Sequence, residues 1–216
     1  MSVVVGEIGI FPFHFVPRGW LACDGAERAV SQEVGDEALY HVLHPRFAVG
    51  DGGRYRLPDY EGLLPPYLRY CVAVHGIYPD AVYSHRERCI GEVGTFFLRS
   101  DFQAGAWQRC TAGSAPAIPQ ADCLIAKTGE RTLPQHQALA GAIGLVDVKL
   151  AGTEHPGWFP CDGRKMKVDT NESRILLSLI GAAYGGDWNE FLLPKIPAPP
   201  GLAYYINAWG PYPERP

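Results

Sequence analysis

Apolar and polar positions in this chain fall into short runs, and the runs recur in one order near both ends. Ile8, Ile10 and Phe13 lie in a β-branched and aromatic run that Pro12 interrupts, which predicts a strand or sheet edge. Pro17-Arg18-Gly19 reads as a turn and Trp20 to Cys23 as a short second strand. Asp24-Gly25 reads as a tight turn in which glycine takes a positive φ at low cost. A helical period follows: Val34, Ala38, Leu39, Val42 and Leu43 share one face, with Ser31 placed to cap the start. Cys71 to Val74 then reads as a closing strand. Near the other end Ile175, Leu176, Leu179 and Ile180 form a second apolar helical face. Asp169 and Glu172 stand before it in capping-box spacing, and Gly181 supplies a stop. Tyr205 to Ala208 reads as the matching final strand. Both helices are short, so each depends on packing against its own strands.

The recurrence extends to residue identity. GEIGIF (6–11) and PRGWLACDG (17–25) near the start match GAIGLV (141–146) and HPGWFPCDG (155–163) near the end. AVGDGGRYRLPD (48–59) matches AYGGDWNEFLLPK (183–195), and YCVAVHGIYPD (70–80) matches YYINAWGPYPE (204–214). Order kept over so long a span marks tandem units rather than one large domain around one cleft. A shorter third version lies between them: GEVGTF (91–96), AWQRC (106–110), Gly113 and a closing run DCLIAKTG (122–129). It lacks the helix and the LP turn, and Thr111 stands where Asp24 and Asp162 stand. The expected architecture is therefore mainly β with short helices, an irregular α+β fold of three repeats, the middle one degenerate. The repeats are taken as residues 1–84, 85–135 and 136–216. Trp20, Cys23, Gly25, Trp107, Cys110, Trp158, Cys161 and Gly163 read as repeat scaffold, the tryptophans as core anchors.

Composition narrows function. The 216 residues are 47% hydrophobic and 19% charged, enough for a substantial core. Gly 25 and Pro 19 favour turns over long helices. A net charge of -4 without a basic block argues against a nucleic-acid partner. No run reaches the roughly 18 apolar residues of a membrane span, and MSVVVGEIGIF lacks the basic start of a signal peptide.

Candidate chemistry is sparse. His41 and His44 are spaced to share a helix face, but no HExxH pattern accompanies them, so no metal or other cofactor is expected. The stretch Val49 to Gly53 lacks the Lys and Ser or Thr of a phosphate loop, and no GxSxG elbow exists. No catalytic residue is singled out and no enzyme is expected. The six cysteines contain no CxxC pair; they read as buried thiols or, alternatively, as bridges Cys23–Cys71 and Cys110–Cys123. The third repeat is rich in aromatics. Trp188, Tyr204, Tyr205, Trp209 and Tyr212 are candidates for contact with a partner or a glycan, set against packing between repeats.

The run G-x-I-x-x-F, P-x-G-W-x-x-C-D-G, short helix, then GDG and LPD resembles the phage tail-collar domain, also found in proteins called microcystin-dependent. The likeness covers most of residues 6–80 and 141–213. It implies a structural or adhesive part of a phage tail or tail-like particle, at a fibre, tip or baseplate. Such a part works through other tail proteins and host-surface glycan, and is located in the virion after synthesis in the host cytoplasm. Fibres of this kind form trimers, so three copies in one chain point to a pseudo-threefold monomer within a larger assembly. Two departures stand out: Lys195 replaces the Asp of the LPD turn, and the metal-binding HxH of some fibre tips has no match. A stand-alone lectin-like surface-binding protein is the alternative.

Overall fold

The computed structural model describes residues 3–31, 35–50, 52–79, 89, 92–97, 105, 107–110, 116, 118–134 and 138–215. Each repeat contributes one three-stranded antiparallel sheet. In the first, β1 (Glu7–Phe11) pairs with β5 (Arg69–Ala73), which pairs with β2 (Trp20–Ala22). In the middle one, β6 (Glu92–Phe96) pairs with β8 (Asp122–Ala126), which pairs with β7 (Trp107–Arg109). In the last, β9 (Ile143–Asp147) pairs with β13 (Leu202–Asn207), which pairs with β10 (Trp158–Pro160).

The register is the same in all three. Gly9, Gly94 and Gly144 oppose Cys71, Leu124 and Tyr205. Trp20, Trp107 and Trp158 oppose Ala73, Ala126 and Asn207. A one-residue slip would reverse every side chain, so this agreement establishes the middle segment as a true copy despite its divergence. It also explains the motif glycines. A Cβ on Gly9 would lie 2.9 Å from the Trp20 ring, and one on Gly144 would lie 3.3 Å from the Trp158 ring. Each opening strand omits a side chain where the repeat tryptophan lies across it. Gly25 and Gly163 need positive φ, 73° and 83°, to close the turns after the cysteines.

The three opening strands close on one another head to tail. The start of β1 pairs with the end of β6 (Glu7↔Phe96, Ile8↔Thr95). The start of β6 pairs with the end of β9 (Glu92↔Val146, Val93↔Leu145). The start of β9 meets β1 near its end (Ile143↔Ile10). This cyclic pairing generates a pseudo-threefold axis and joins the sheets into one nine-stranded assembly. Ile8, Ile10, Val93, Ile143 and Leu145 are buried around it.

The first and third repeats each insert a lid between the second and closing strands. The first lid holds β3 (Glu27–Ala29), α1 (Glu37–Phe47) and β4 (Arg54–Arg56); the third holds β11 (Lys165–Lys167), α3 (Asn171–Ile180) and β12 (Glu190–Leu192). The remaining helix, α2 (Val148–Ala151), is one turn capped by Asp147. The two lid hairpins are in register, placing buried Tyr55 and Phe191 at one position. Their ion pair is also kept, with its charges exchanged: Glu27–Arg54 in the first lid, Lys165–Glu190 in the third, both at 2.6 Å. Among the described residues between β7 and β8 of the middle repeat, none belongs to a helix or strand. The first lid reaches over this repeat: Tyr60 Oη donates to the Pro119 carbonyl at 2.6 Å, Arg46 pairs with Asp122 at 2.9 Å, and Phe47 meets the Phe97 ring edge-on.

Two expected helix starts are corrected. Ser31 does not cap α1; its N–H donates to Asp36 Oδ1 at 2.8 Å, and Asp36 occupies the N-cap position. The Asp36 carboxylate turns inward because Tyr55 Oη donates to it at 2.6 Å and Arg28 lies 3.6 Å away. Of the expected apolar face, Leu39, Val42 and Leu43 are buried, whereas Val34 lies outside the described residues. The capping box of α3 is Thr170–Ser173, one residue beyond Asp169 and Glu172. Ser173 is buried, so its hydroxyl closes the box without a charge to desolvate. Gly181 ends α3 as expected.

Candidate functional site

Exposed aromatics at positions where the copies differ form the candidate surface. Trp188 is the most exposed large hydrophobic side chain among the described residues, at 79%. It sits in a tight turn before β12, held by Asp187, whose Oδ1 accepts from the N–H groups of Asn189 (2.7 Å) and Glu190 (3.1 Å). Those two donors hold the Asp187 carboxyl below its usual range. The matching first-repeat segment runs from Val49 to Arg54 through glycines. Bridges Ala48↔Tyr55 and Gly186↔Phe191 show that Gly186 corresponds to Ala48 rather than to Gly50. The two glycine-rich stretches are thus analogous turns of different length.

Trp209 is 41% exposed and stacks on the turn glycine Gly157, as His75 lies over Gly19 in the first repeat. Tyr212 is 56% exposed and its hydroxyl lies 3.2 Å from Ser178 on α3. Beyond it the terminal segment crosses to the first repeat. Arg18 N–H donates to the Glu214 carbonyl at 2.9 Å, and the Arg215 guanidinium lies 5.2 Å from the Phe15 ring.

Tyr204 and Tyr205 do not belong to this surface. They are 6% and 3% exposed because β13 is a central strand covered on both faces. Tyr204 joins the main core beneath the lid; Tyr205 joins a second cluster with Leu133, Val146 and Trp158. Burial pushes both phenols upward in pKa.

A cleft between the first and third repeats escaped sequence reasoning. Pro65, Pro66 and Tyr67 form one wall; Tyr184, Leu192 and Lys195 form the other. Tyr67 is 66% exposed at φ 67°, a region that disfavours side chains. Tyr184 is half-buried and meets Tyr67 edge-on at 6.0 Å, and its hydroxyl has no hydrogen-bond partner among the described residues. Lys195 pairs with Asp162 in the bridge position that Asp59 takes opposite Asp24, so the turn survives while its side chain changes sign. The only sequence signal for this cleft was that departure at Lys195.

A buried cavity of about 120 Å³ lies around the pseudo-threefold axis, lined by the opening strands, Trp20, Trp158, Tyr70 and Tyr204. Glu7 and Glu92 border it at one repeat position, where the third copy has Ala142. Their Oε2 atoms accept from Val4 N–H (3.0 Å) and Cys89 N–H (3.1 Å), matching structural contacts at the strand starts.

His41 and His44 are both exposed, and no group of three or more metal-ligating side chains occurs among the described residues. His155 is buried; its Nδ1 accepts from Leu133 N–H at 3.3 Å, and burial lowers its pKa. The described cysteines are free thiols. Cys23 and Cys71 are buried, and no bridge joins them. The Cys71 thiol is pushed up to about 12 by burial.

Three tryptophan-anchored sheets, two of them with lid insertions, define a mainly β repeat fold. The family model for the phage tail collar domain matches residues 6–65 and 141–197. The chain belongs to that family, a structural one of phage tails. No curated protein and no solved structure matches it. No helix among the described residues is long and apolar enough to cross a membrane.

Proposed function

We propose that this chain is a pseudo-threefold collar unit of a phage tail or tail-like particle, at a fibre, tip or baseplate. It holds by binding other tail proteins, and one polypeptide does the work of a trimer of collar domains. The cyclic pairing of β1, β6 and β9 carries the reading, since each opening strand meets both others in matching register. The repeats run over residues 1–84, 85–135 and 136–216, with both junctions in segments outside the described residues. Native mass spectrometry of the full chain should give the 23.7 kDa monomer. A trimer mass would remove the replacement reading. Proteomics of purified particles tests the location: the protein should copurify with tails and be missing from free heads.

Contact with host-surface glycan is the second part of the proposal. The exposed Trp188, Trp209 and Tyr212 and the Tyr67–Tyr184 cleft support it. The same residues would serve a lectin-like protein outside any particle. A glycan array separates the two parts: binding lost in Trp209→Ala and Tyr67→Ala supports glycan recognition. Silence of the wild type leaves protein partners as the only ones proposed.

A further inference from the structure

The middle repeat carries a pair of thiols that its sister copies do not. Cys23, Cys110 and Cys161 occupy one position, and their N–H groups donate to the carbonyls of Tyr70 (3.0 Å), Cys123 (2.9 Å) and Tyr204 (2.8 Å). The first and third repeats therefore set a tyrosine beside the repeat cysteine, and the middle one sets a second cysteine there. The two sulfurs lie 3.0 Å apart, with the Cys123 S–H donating to Cys110 Sγ. Surroundings differ as well. Cys23 and Cys161 are buried under their lids, and burial drives both thiols upward in pKa. Cys110 and Cys123 are half-buried. The hydrogen bond from Cys123 lowers the pKa of Cys110, which favours the nucleophilic thiolate at that sulfur.

We propose that Cys110 and Cys123 are an oxidative cross-linking site, closed to a disulfide by small-molecule disulfides once the protein leaves a reducing compartment. The Cys110 thiolate attacks one sulfur of the oxidant, forms a mixed disulfide and expels one thiolate. Cys123, losing its proton, then attacks Cys110 Sγ and expels the second thiol. The protein loses two hydrogens and two thiols leave; the small disulfide is the species reduced. The cross-link joins Cys110, just after β7, to Cys123 on β8. The site rests on strand register and thiol geometry alone and stands whether or not the chain works in a tail.

The test uses the full-length reduced protein incubated with oxidised glutathione, then denatured, alkylated and digested without reductant. The expected product is a Cys110–Cys123 peptide pair two hydrogens lighter than its thiols, with the other four cysteines alkylated. Full alkylation of both, or a dominant Cys23–Cys71 pair, would overturn the proposal. In Cys123→Ser the resolving thiol is gone, so Cys110 should accumulate as a stable glutathione adduct; an unmodified Cys110 would count against its role as the attacking sulfur. The oxidised wild type should melt on the order of 5 °C higher than the reduced form, reversibly with reductant. An equal melting temperature would show that the bond constrains nothing.

Discussion

Adding one methyl group to the opening strands tests the central packing device, the glycine that makes room for a tryptophan. At Gly9 the new Cβ would sit 2.9 Å from both Phe11 Cε2 and Trp20 Cζ3. Those two rings already touch edge-on at 4.9 Å, and Phe11 is 1% exposed, so the Phe11 ring has little space to retreat. Overpacking of this kind costs about 1–3 kcal/mol. Replacing glycine offsets about 0.4–1 kcal/mol by restricting the unfolded chain. The net expectation for Gly9→Ala is a loss of about 1–2 kcal/mol. At Gly144 the same methyl meets Trp158 at 3.3 and 3.6 Å and Leu133 at 3.9 Å, so Gly144→Ala should fall within about 0.5 kcal/mol of wild type. Urea unfolding followed by tryptophan fluorescence reads both, provided the slope m is unchanged. The two variants should differ by about 3–6 °C in Tm. Shrinking the obstructing ring closes the cycle: in a Trp20→Leu background, Gly9→Ala should cost at least about 0.5 kcal/mol less. A Gly9→Ala protein as stable as Gly144→Ala, or a coupling of zero, would refute the steric account of the motif.

Two further outcomes follow from polar groups in the interior. Asp36→Ala strands Arg28 and Tyr55 without their shared carboxylate and should cost about 3–5 kcal/mol, whereas Thr170→Ala at the matching helix start loses only a cap, about 1 kcal/mol; thermal melts of the two variants rank them. His155 is neutral in the fold, its pKa lowered by burial, and its Nδ1 must stay unprotonated to accept from Leu133. The unfolded chain therefore takes up the proton first, and stability present above about pH 6.5 falls as the pH drops below it. His155→Gln should flatten the difference in unfolding free energy between pH 7 and 5; an unchanged slope would exclude this histidine as its source.

The parts of the fold legible in the sequence are those fixed by a steric demand at one position. Gly9 and Trp20, Gly25 and its positive φ, and the cysteine beside the closing strand each restrict the residue allowed, so the whole motif survives in the first and third copies and marks its own register. The closure of β1, β6 and β9 leaves no such trace, because strand pairing between distant segments uses backbone groups that every residue owns. The start of α1 lies five residues beyond Ser31 because Asp36 serves a buried partner, Tyr55, and that of α3 lies one residue beyond Asp169 because Thr170 and Ser173 close the box. The site was legible in part. Trp188 and Trp209 stand out as tryptophans without a counterpart in the first copy, and Tyr204, Tyr205 and Tyr212 as added aromatics, of which Tyr204 and Tyr205 lie inside. A strand covered on both faces loses the alternation that separates inner from outer positions. Tyr67 and Tyr184 come together only through contact between the first and third repeats.

The head-to-tail ring of opening strands changes what dilution does to the molecule. A ring built from three separate chains carries a concentration term in its stability and comes apart when its subunits are scarce. Here the partners are tethered, so closure is an intramolecular event governed by effective concentration. The ring holds at any abundance. Each corner has also been freed to change alone: a substitution enters once instead of three times. The exchanged ion pair, the polar core of Arg28, Tyr55 and Asp36 in one lid only, and the middle corner with its two thiols all record that freedom.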